Sequence, residues 1–96
     1  MSRIEQFEDK CCECEELFLE KNVQYGDAIT ETGVLGAAVE FVGITGRLKN
    51  LVINSGDGGK AADRKALRDI LIDAHNYAII GLMMLDEENF TGVSDG

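Results

Sequence analysis

The chain of 96 residues contains no proline and no tryptophan, and it has only four phenylalanines, two tyrosines and one histidine. A chain without proline lacks the strongest helix breaker, and its many leucine, isoleucine, alanine and valine residues favour an all-helical fold. No alternation of apolar and polar residues is long enough to indicate a sheet. We therefore predict an all-α protein with one small helical domain over residues 1–88 and a flexible polar tail over residues 89–96.

Basic residues are scarce, because nine lysines and arginines stand against eighteen acidic residues and give a formal net charge of −9. This excess of negative charge argues against non-specific binding to DNA or RNA. Six of the nine basic residues nevertheless lie between Arg47 and Arg68, accompanied only by Asp57 and Asp63, so that segment carries +4 and the rest −13. Such a basic segment can hold a small phosphorylated ligand, although solvated charges at helix ends give the same composition.

Long apolar runs are also missing, since none reaches the roughly 18 residues of a membrane span. The acidic N-terminus lacks the apolar segment of a secretory signal. The odd cysteine count suits a reducing compartment, so we expect a cytoplasmic protein that contacts no membrane. Cys11 and Cys14 share one side of the first predicted helix with Phe7 and Phe18, which favours small buried hydrophobes over a zinc site.

The helix signals predict three long helices, with room for a short fourth. Ser2 and Glu5 have the spacing of a capping box, and Asp63 is a favourable N-cap residue. The predicted segments are a helix over residues 3–21, a connection over 22–32, a helix over 33–53, a glycine-rich loop over 54–62 and a helix over 63–85. We interpret the loop as a flexible linker or lid, because Ala61 stands where a phosphate-binding loop needs serine or threonine.

The third predicted helix changes character along its length. A core-facing stripe is predicted at Leu67, Ile70, Leu71, Ala74, Ala78, Gly81, Leu82 and Leu85. The opposite face carries Lys65, Asp69, Asp73 and Asn76, and then Ile79, Ile80, Met83 and Met84. A helix that is apolar all round must be covered, and the second helix is almost as apolar. One subunit cannot bury this surface, so we expect an obligate homo-oligomer, a dimer or larger, built as a shared helical bundle.

Three glycines inside the second predicted helix need a physical reason, because each costs up to about 1 kcal/mol relative to alanine. They are Gly36, Gly43 and Gly46. A glycine lets another helix or a ligand approach the backbone closely. Glu40 and Arg47 are seven residues apart and therefore lie on one side of the helix, beside two of these glycines.

Three segments together carry a family resemblance: KNVQYGDA from Lys21, GVLGAAVEFVGITGRLKNL from Gly33, and DRKALRDILIDAHNYAII from Asp63. They resemble the nucleotide-modification-associated domain common in phages, with its KN-x-x-YG, its glycine- and leucine-rich helix ending in Arg-Leu-Lys-x-Leu, and its D-x-x-x-D-x-x-N-Y-A. That family resembles the all-α, MazG-like nucleotide pyrophosphohydrolases. The resemblance covers about residues 21–85 and implies an oligomeric, MazG-like helical bundle in which helix-borne carboxylates hold Mg²⁺ on the substrate's phosphates.

The residues that match the family pattern by position are Lys21, Asn22, Tyr25, Gly26, Arg47, Lys49, Asp69, Asp73, Asn76 and Tyr77. The chain departs from the family patterns in three places. Gly43 and Ile44 replace an Asp-Lys pair, and Lys65 replaces the acid expected four residues before Asp69. Of the paired acids on the second helix of MazG-like enzymes, only Glu40 is present.

Three hypotheses follow. In the first, which we favour, a pocket between subunits binds a nucleotide or a nucleotide-derived signal, linear or cyclic, without hydrolysis, as a phage protein would to sequester a host defence signal. Its expected ligand-binding residues are Lys21, Asn22, Tyr25, Arg47, Lys65, Arg68, Asp69, Asp73, Asn76 and Tyr77. In the second, Glu40, Asp69 and Asp73, joined by Asp27 or Glu31, hold Mg²⁺ for nucleoside triphosphate pyrophosphohydrolysis. In the third, the polar side chains on one face of the third helix, which we call the polar stripe, are solvated and bind no ligand. They are Lys65, Asp69, Asp73 and Asn76.

Overall fold

The computed structural model describes the backbone of residues 1–95 and the side chains of residues 1–21 and 32–87. It contains three helices, α1 (Arg3–Glu20), α2 (Asn22–Val52) and α3 (Arg64–Asp95), and no strand within that backbone, which confirms the all-α class. Within the same part of the chain, no helix is long and apolar enough to cross a membrane. α3 continues to Asp95, ten residues beyond the end predicted at Leu85, so the predicted end of this helix is wrong. The flexibility expected over residues 89–96 stays a prediction.

The start of α1 follows the predicted capping box. The Ser2 hydroxyl accepts a hydrogen bond from the Glu5 amide at 3.1 Å, and the Glu5 carboxylate accepts one from the Ser2 amide at 3.2 Å. Only the second half of α1 reaches the core, because Cys14 is buried whereas Ile4 and Phe7 stay exposed. The predicted apolar stripe therefore exists but is only partly covered within one chain.

The connection predicted over residues 22–32 is wrong, because α2 already begins at Asn22. The helical path is interrupted instead at Gly33, whose φ of 63° and ψ of −147° are open essentially to glycine alone. The predicted helix start at Gly33 thus marks a real break between two helical stretches. α2 ends at Val52, one residue before the predicted end.

The loop between α2 and α3 is organised around Asp57. Its Oδ1 atom accepts hydrogen bonds from the Ser55 hydroxyl at 2.7 Å and the Gly59 amide at 2.9 Å, and its Oδ2 atom accepts one from the Ala61 amide at 3.2 Å. Gly59 has a φ of 80°, which a side chain would strain. The loop is therefore tied together by hydrogen bonds, in contrast to the unconstrained linker that its glycine content predicts.

α3 begins as predicted and then packs antiparallel to α2. The Asp63 carboxylate caps the helix by accepting hydrogen bonds from the amides of Lys65 at 2.9 Å and Ala66 at 3.4 Å. A Cβ atom added at Gly81 would lie 3.9 Å from that of Ala37, so the two helices approach each other closely at these two small residues. This α2–α3 hairpin is the main body of the fold, and α1 lies against α3.

The face that α3 turns to the core differs from the predicted stripe. The buried apolar residues are Cys14, Ala37, Ile44, Leu67, Ile70, Ile80 and Met84. Leu71, Leu82 and Leu85 of the predicted stripe are exposed, while Ile80 and Met84 from the opposite face are buried. The prediction is wrong there because a helix that is apolar all round gives no periodic signal to identify its packed side.

Candidate functional site

The candidate site is centred on Tyr77, which is half-buried and packs against Ile80 and Met84. The pKa of Tyr77 is raised, first by burial and then by the negative charges of Glu40 and Asp73, while the positive charge of Arg47 opposes the shift. Glu40 and Arg47 belong to α2, whereas Asp73 and Tyr77 belong to α3, so charges from both helices influence the tyrosine hydroxyl.

The ring of Tyr77 also lines an open groove of about 330 Å³ along the α2–α3 contact. The groove is lined by Val34, Ala37, Ala38, Phe41, Tyr77, Ala78, Gly81, Leu82 and Leu85. All of these residues are apolar except for the tyrosine hydroxyl. Both helices line the groove with alanine or glycine beside the tyrosine. The small size of these residues leaves space in which a flat apolar group can lie against the tyrosine ring. We call this surface the hairpin groove.

Two of the cations expected to bind phosphate are paired with acids of the same chain. The Lys65 ammonium lies 3.3 Å from the Asp69 carboxylate one helical turn away, and both side chains are exposed. The Arg68 guanidinium forms an ion pair with Glu13 and so joins α3 to α1. Hydrogen bonds from Arg68 and then from Lys10 hold the pKa of Glu13 below its usual range. These two cations are therefore partly neutralised before any ligand binds.

Asn76 has a structural position that its sequence context did not predict. It is the only buried polar residue among those with described side chains, and its amide nitrogen donates a hydrogen bond to the Cys14 carbonyl oxygen at 3.1 Å. Its amide oxygen lies 3.0 Å from the His75 Nδ1 atom. The predicted placement of Asn76 on the solvent-facing side of the helix is wrong, because this buried side chain links α1 to α3. Its predicted contact with a ligand stays a prediction.

The predicted ligand-binding residues whose side chains the structure describes do not all lie in one pocket of a single chain. Lys21 follows Phe18, which packs against Ile80 and Met84. Lys65 lies fifteen residues before Ile80, a distance of about 23 Å along the helix. Arg47, Asp73 and Tyr77 lie between these two ends, and the side chains of Asn22 and Tyr25 are outside the described residues.

The three acids proposed to bind Mg²⁺ are not assembled into a metal site within one chain. Side chains of Glu40, Asp69 and Asp73 are all described, yet nowhere in the described part do three histidine, cysteine or acidic side chains group closely enough to hold a metal ion. The further candidates Asp27 and Glu31 fall outside it. Coordination by these three acids would therefore need ligands from elsewhere, such as substrate phosphates or a second subunit.

The glycines of α2 differ in their surroundings. A Cβ atom at Gly36 would collide with the Thr32 side chain, whereas no atom lies within 4 Å of a Cβ atom placed at Gly43 or Gly46. Close packing within the chain therefore explains the first glycine but not the other two. Gly43 lies between Glu40 and Arg47 on one side of the helix, so the backbone there is bare next to charged groups.

The hairpin groove itself was missed from the sequence. Its signal was present as Val34 and Phe41, seven residues apart on α2, and as Tyr77, Gly81 and Leu85 at intervals of four on α3. Gly81 and Leu85 belong to the predicted core-facing stripe and Tyr77 to the predicted ligand-binding residues, whereas Val34 and Phe41 enter no prediction. The groove becomes visible only when the antiparallel register brings the two patterns side by side.

Comparisons of the chain with protein-family models, with curated proteins and with solved structures find no match. The resemblance to the phage domain and to MazG-like enzymes therefore stays an expectation.

Proposed function

We propose that the protein binds a nucleotide or a nucleotide-derived signal, linear or cyclic, at the hairpin groove and releases it unchanged. The observation that carries this proposal is that the ring and the hydroxyl of Tyr77 have different surroundings. Its ring lines an apolar groove, while its hydroxyl lies in the electric field of Arg47, Glu40 and Asp73. A nucleotide combines the same elements, an apolar aromatic base joined to a polar sugar and an anionic phosphate.

The apolar part of the groove supports binding of the base. Stacking of a base on an aromatic ring contributes about 1–3 kcal/mol and tolerates many bases, since every base has a π-face. Ala37 and Gly81 line the groove together with Tyr77, and neither has a large side chain. The base would therefore have a surface to stack on without displacing a large side chain.

The charged side chains that influence Tyr77, those of Arg47, Glu40 and Asp73, support binding of phosphate and sugar. Arg47 is exposed and has no ion-pair partner among the described residues, in contrast to Lys65 and Arg68. A guanidinium donates paired hydrogen bonds to phosphate oxygens. Glu40 and Asp73 can accept hydrogen bonds from ribose hydroxyls or base amino groups. The bare backbone at Gly43 gives a ligand close access between Glu40 and Arg47.

A second subunit is part of the proposal, because the hairpin groove is open along its length. An open groove of about 330 Å³ leaves one side of a bound base in water. Ligand pockets usually bury most of the ligand surface. In the homo-oligomer that the exposed apolar side chains favour, a neighbouring chain would cover the groove and supply further polar contacts.

Incubation with a nucleotide panel in the presence of Mg²⁺ tests the proposal. The panel contains mono-, di- and triphosphates and cyclic mono- and dinucleotides, and chromatography is run before and after heat denaturation. We expect one ligand to disappear from solution and return intact on denaturation. A ligand that is consumed, with turnover abolished by EDTA, would replace binding with Mg²⁺-dependent pyrophosphohydrolysis. A panel left untouched throughout would support the solvated-stripe hypothesis.

Two variants then locate the site by calorimetry with the captured nucleotide. Arg47→Gln removes the proposed phosphate contact, and we expect a loss of about 1.5–3 kcal/mol, the usual value for a hydrogen bond to a charged group. Arg64→Gln is the matched control, because it removes the same charge from an exposed position near the start of α3. Equal losses in both variants would show a general electrostatic effect and contradict a site at Arg47.

A further inference from the structure

A cavity of about 300 Å³ lies between α1 and α3, which is the size of a small ligand pocket. We call it the α1–α3 cavity, and it shares no lining residue with the hairpin groove. Two of its lining residues are partly exposed, Ile79 at 43% and Met83 at 47%, so a ligand can enter from solvent. The cavity is lined by Cys11, Glu15 and Phe18 of α1 and by His75, Asn76, Ile79 and Met83 of α3.

The hydrogen bonds of Asn76 determine which polar atoms the cavity can offer to a ligand. The Asn76 amide nitrogen donates to the Cys14 carbonyl oxygen, so its amide oxygen is the atom that lies 3.0 Å from the His75 Nδ1 atom. An amide oxygen can only accept, and the His75 Nδ1 atom must therefore carry the hydrogen. The other ring nitrogen of a neutral imidazole, Nε2, is then an acceptor. His75 thus offers a ligand an acceptor and no donor.

The charges around the cavity are negative. Glu15 has no ion-pair partner among the side chains that the structure describes, in contrast to Glu13, which pairs with Lys10 and Arg68. No lysine or arginine is among the described residues that line the cavity. The whole of α1 carries seven acidic residues against Arg3 and Lys10, a formal charge of −5. The electric field beside this helix therefore attracts cations and repels anions.

The apolar lining is suited to the uncharged body of such a ligand. The side chains of Phe18, Ile79 and Met83 contribute most of this lining. A cation held near the face of an aromatic ring is attracted by the negative charge density of that face. The methionine side chain is flexible and polarisable, so it adapts to the shape of a bound group.

We propose that the α1–α3 cavity binds a small organic cation, in which an ammonium group is joined to an apolar body. The ammonium group donates hydrogen bonds to the Glu15 carboxylate and to the His75 Nε2 atom, and the body lies against Phe18, Ile79 and Met83. An ammonium group carries hydrogen-bond donors only, which matches a site that offers acceptors only. This site is independent of the proposed function, because nucleotides are anionic and the hairpin groove has a different lining.

Proton NMR tests the proposal, because His75 is the only histidine of the chain and its imidazole signals report on this cavity. Phenethylamine, phenethyl alcohol and phenylacetate share a benzene ring and differ in the charge of the polar end. We expect the amine to shift the His75 signals at concentrations about tenfold lower than the alcohol, because only an ammonium forms a charge-assisted hydrogen bond with a carboxylate. Phenylacetate should bind most weakly of the three.

Two substitutions test the contacts. Glu15→Gln should reduce the advantage of the amine over the alcohol to less than about threefold, because it removes the negative charge and keeps the shape of the side chain. Glu16→Gln is the matched control: it removes the same charge from the neighbouring exposed residue, which does not line the cavity. Ile79→Trp fills the cavity and should abolish the response to all three compounds. Leu35→Trp, at an exposed position of α2, is its control, and circular dichroism confirms that every variant remains helical.

Each other outcome overturns a stated part of the proposal. His75 signals that respond to none of the compounds, or that respond equally well in Ile79→Trp, reject the cavity as a binding site. Equal binding of the amine and the alcohol, or tighter binding of phenylacetate, rejects a cation as the ligand. Equal losses in Glu15→Gln and Glu16→Gln show a general attraction to α1 and reject the contact with Glu15. None of these results affects the capture of a nucleotide, so the proposed function is judged separately.

Discussion

Replacing Asn76 by alanine tests whether this residue is a structural fastener or a ligand contact. The substitution removes the buried hydrogen bond of 3.1 Å to the Cys14 carbonyl oxygen. That bond contributes about 1 kcal/mol, and the lost packing of a fully buried polar side chain adds a similar amount. The Cys14 carbonyl keeps its own bond within α1, so no buried acceptor is left alone. We therefore expect a loss of about 2 kcal/mol in the free energy of unfolding.

Thermal unfolding followed by circular dichroism measures this loss. In a domain of this size, 1 kcal/mol corresponds to about 4–8 °C, so the midpoint should fall by about 8–16 °C. The protein concentration is held constant, because association shifts the midpoint. Asn54→Ala is the matched control: it removes a hydrogen bond of 2.8 Å to Asn50 on an exposed surface and should cost less than about 0.5 kcal/mol.

Asn76→Asp sharpens the test through its pH dependence. An aspartate at this buried position would face the Cys14 carbonyl oxygen, so its pKa in the folded state would rise above the unfolded value. The variant should therefore be least stable at neutral pH and regain stability as pH falls through the folded pKa, where the protonated carboxyl can donate to Cys14. If Asn76→Ala leaves the midpoint unchanged but abolishes nucleotide binding, the structural role is refuted.

The remaining predictions concern a glycine pair and the loop. Gly43→Ala should stabilise the isolated chain by up to about 1 kcal/mol while weakening nucleotide binding, because the space above Gly43 is empty. Gly36→Ala should destabilise it, since the new methyl group meets Thr32, and denaturant unfolding compares the two. The Ser55 hydroxyl and then the loop amides hold the pKa of Asp57 below its usual value. The stability it supplies is present above the unfolded pKa and lost as pH falls through the folded pKa, so Asp57→Ala should show a smaller acid-induced decrease in the unfolding midpoint.

The sequence predicted most of the backbone because the signals involved are local. The Ser2 capping box, the Asp63 cap and the break at Gly33 each depend on a few neighbouring residues, and all three are present in the structure. The missed helix over residues 22–32 has a related cause. Polar and glycine residues there suggested a loop, and the pattern contained no strong apolar stripe against which to judge a helix.

The candidate site was harder to predict because it depends on contacts between helices. Asp69 and Asp73 share a face of α3, but the sequence could not show that Lys65 pairs with Asp69. Nor could it show that Asn76 turns inward to Cys14, since amphipathic periodicity treats every amide as a surface group. The influence of the Arg47 charge on the Tyr77 pKa depends on the antiparallel register, which no pattern within one helix specifies.

The attachment of α1 has a consequence for synthesis of the chain. Its hydrogen bond and ion pair with α3 are made by Asn76 and Arg68, which are synthesised late. At 5–20 residues per second, the 56 residues from Glu20 to Asn76 take about 3–11 s to synthesise. Most helical stability in proteins comes from tertiary packing, and during these seconds α1 can form only its contacts with α2. Cys14, which is buried in the folded chain, therefore stays accessible to solvent until α3 has been made.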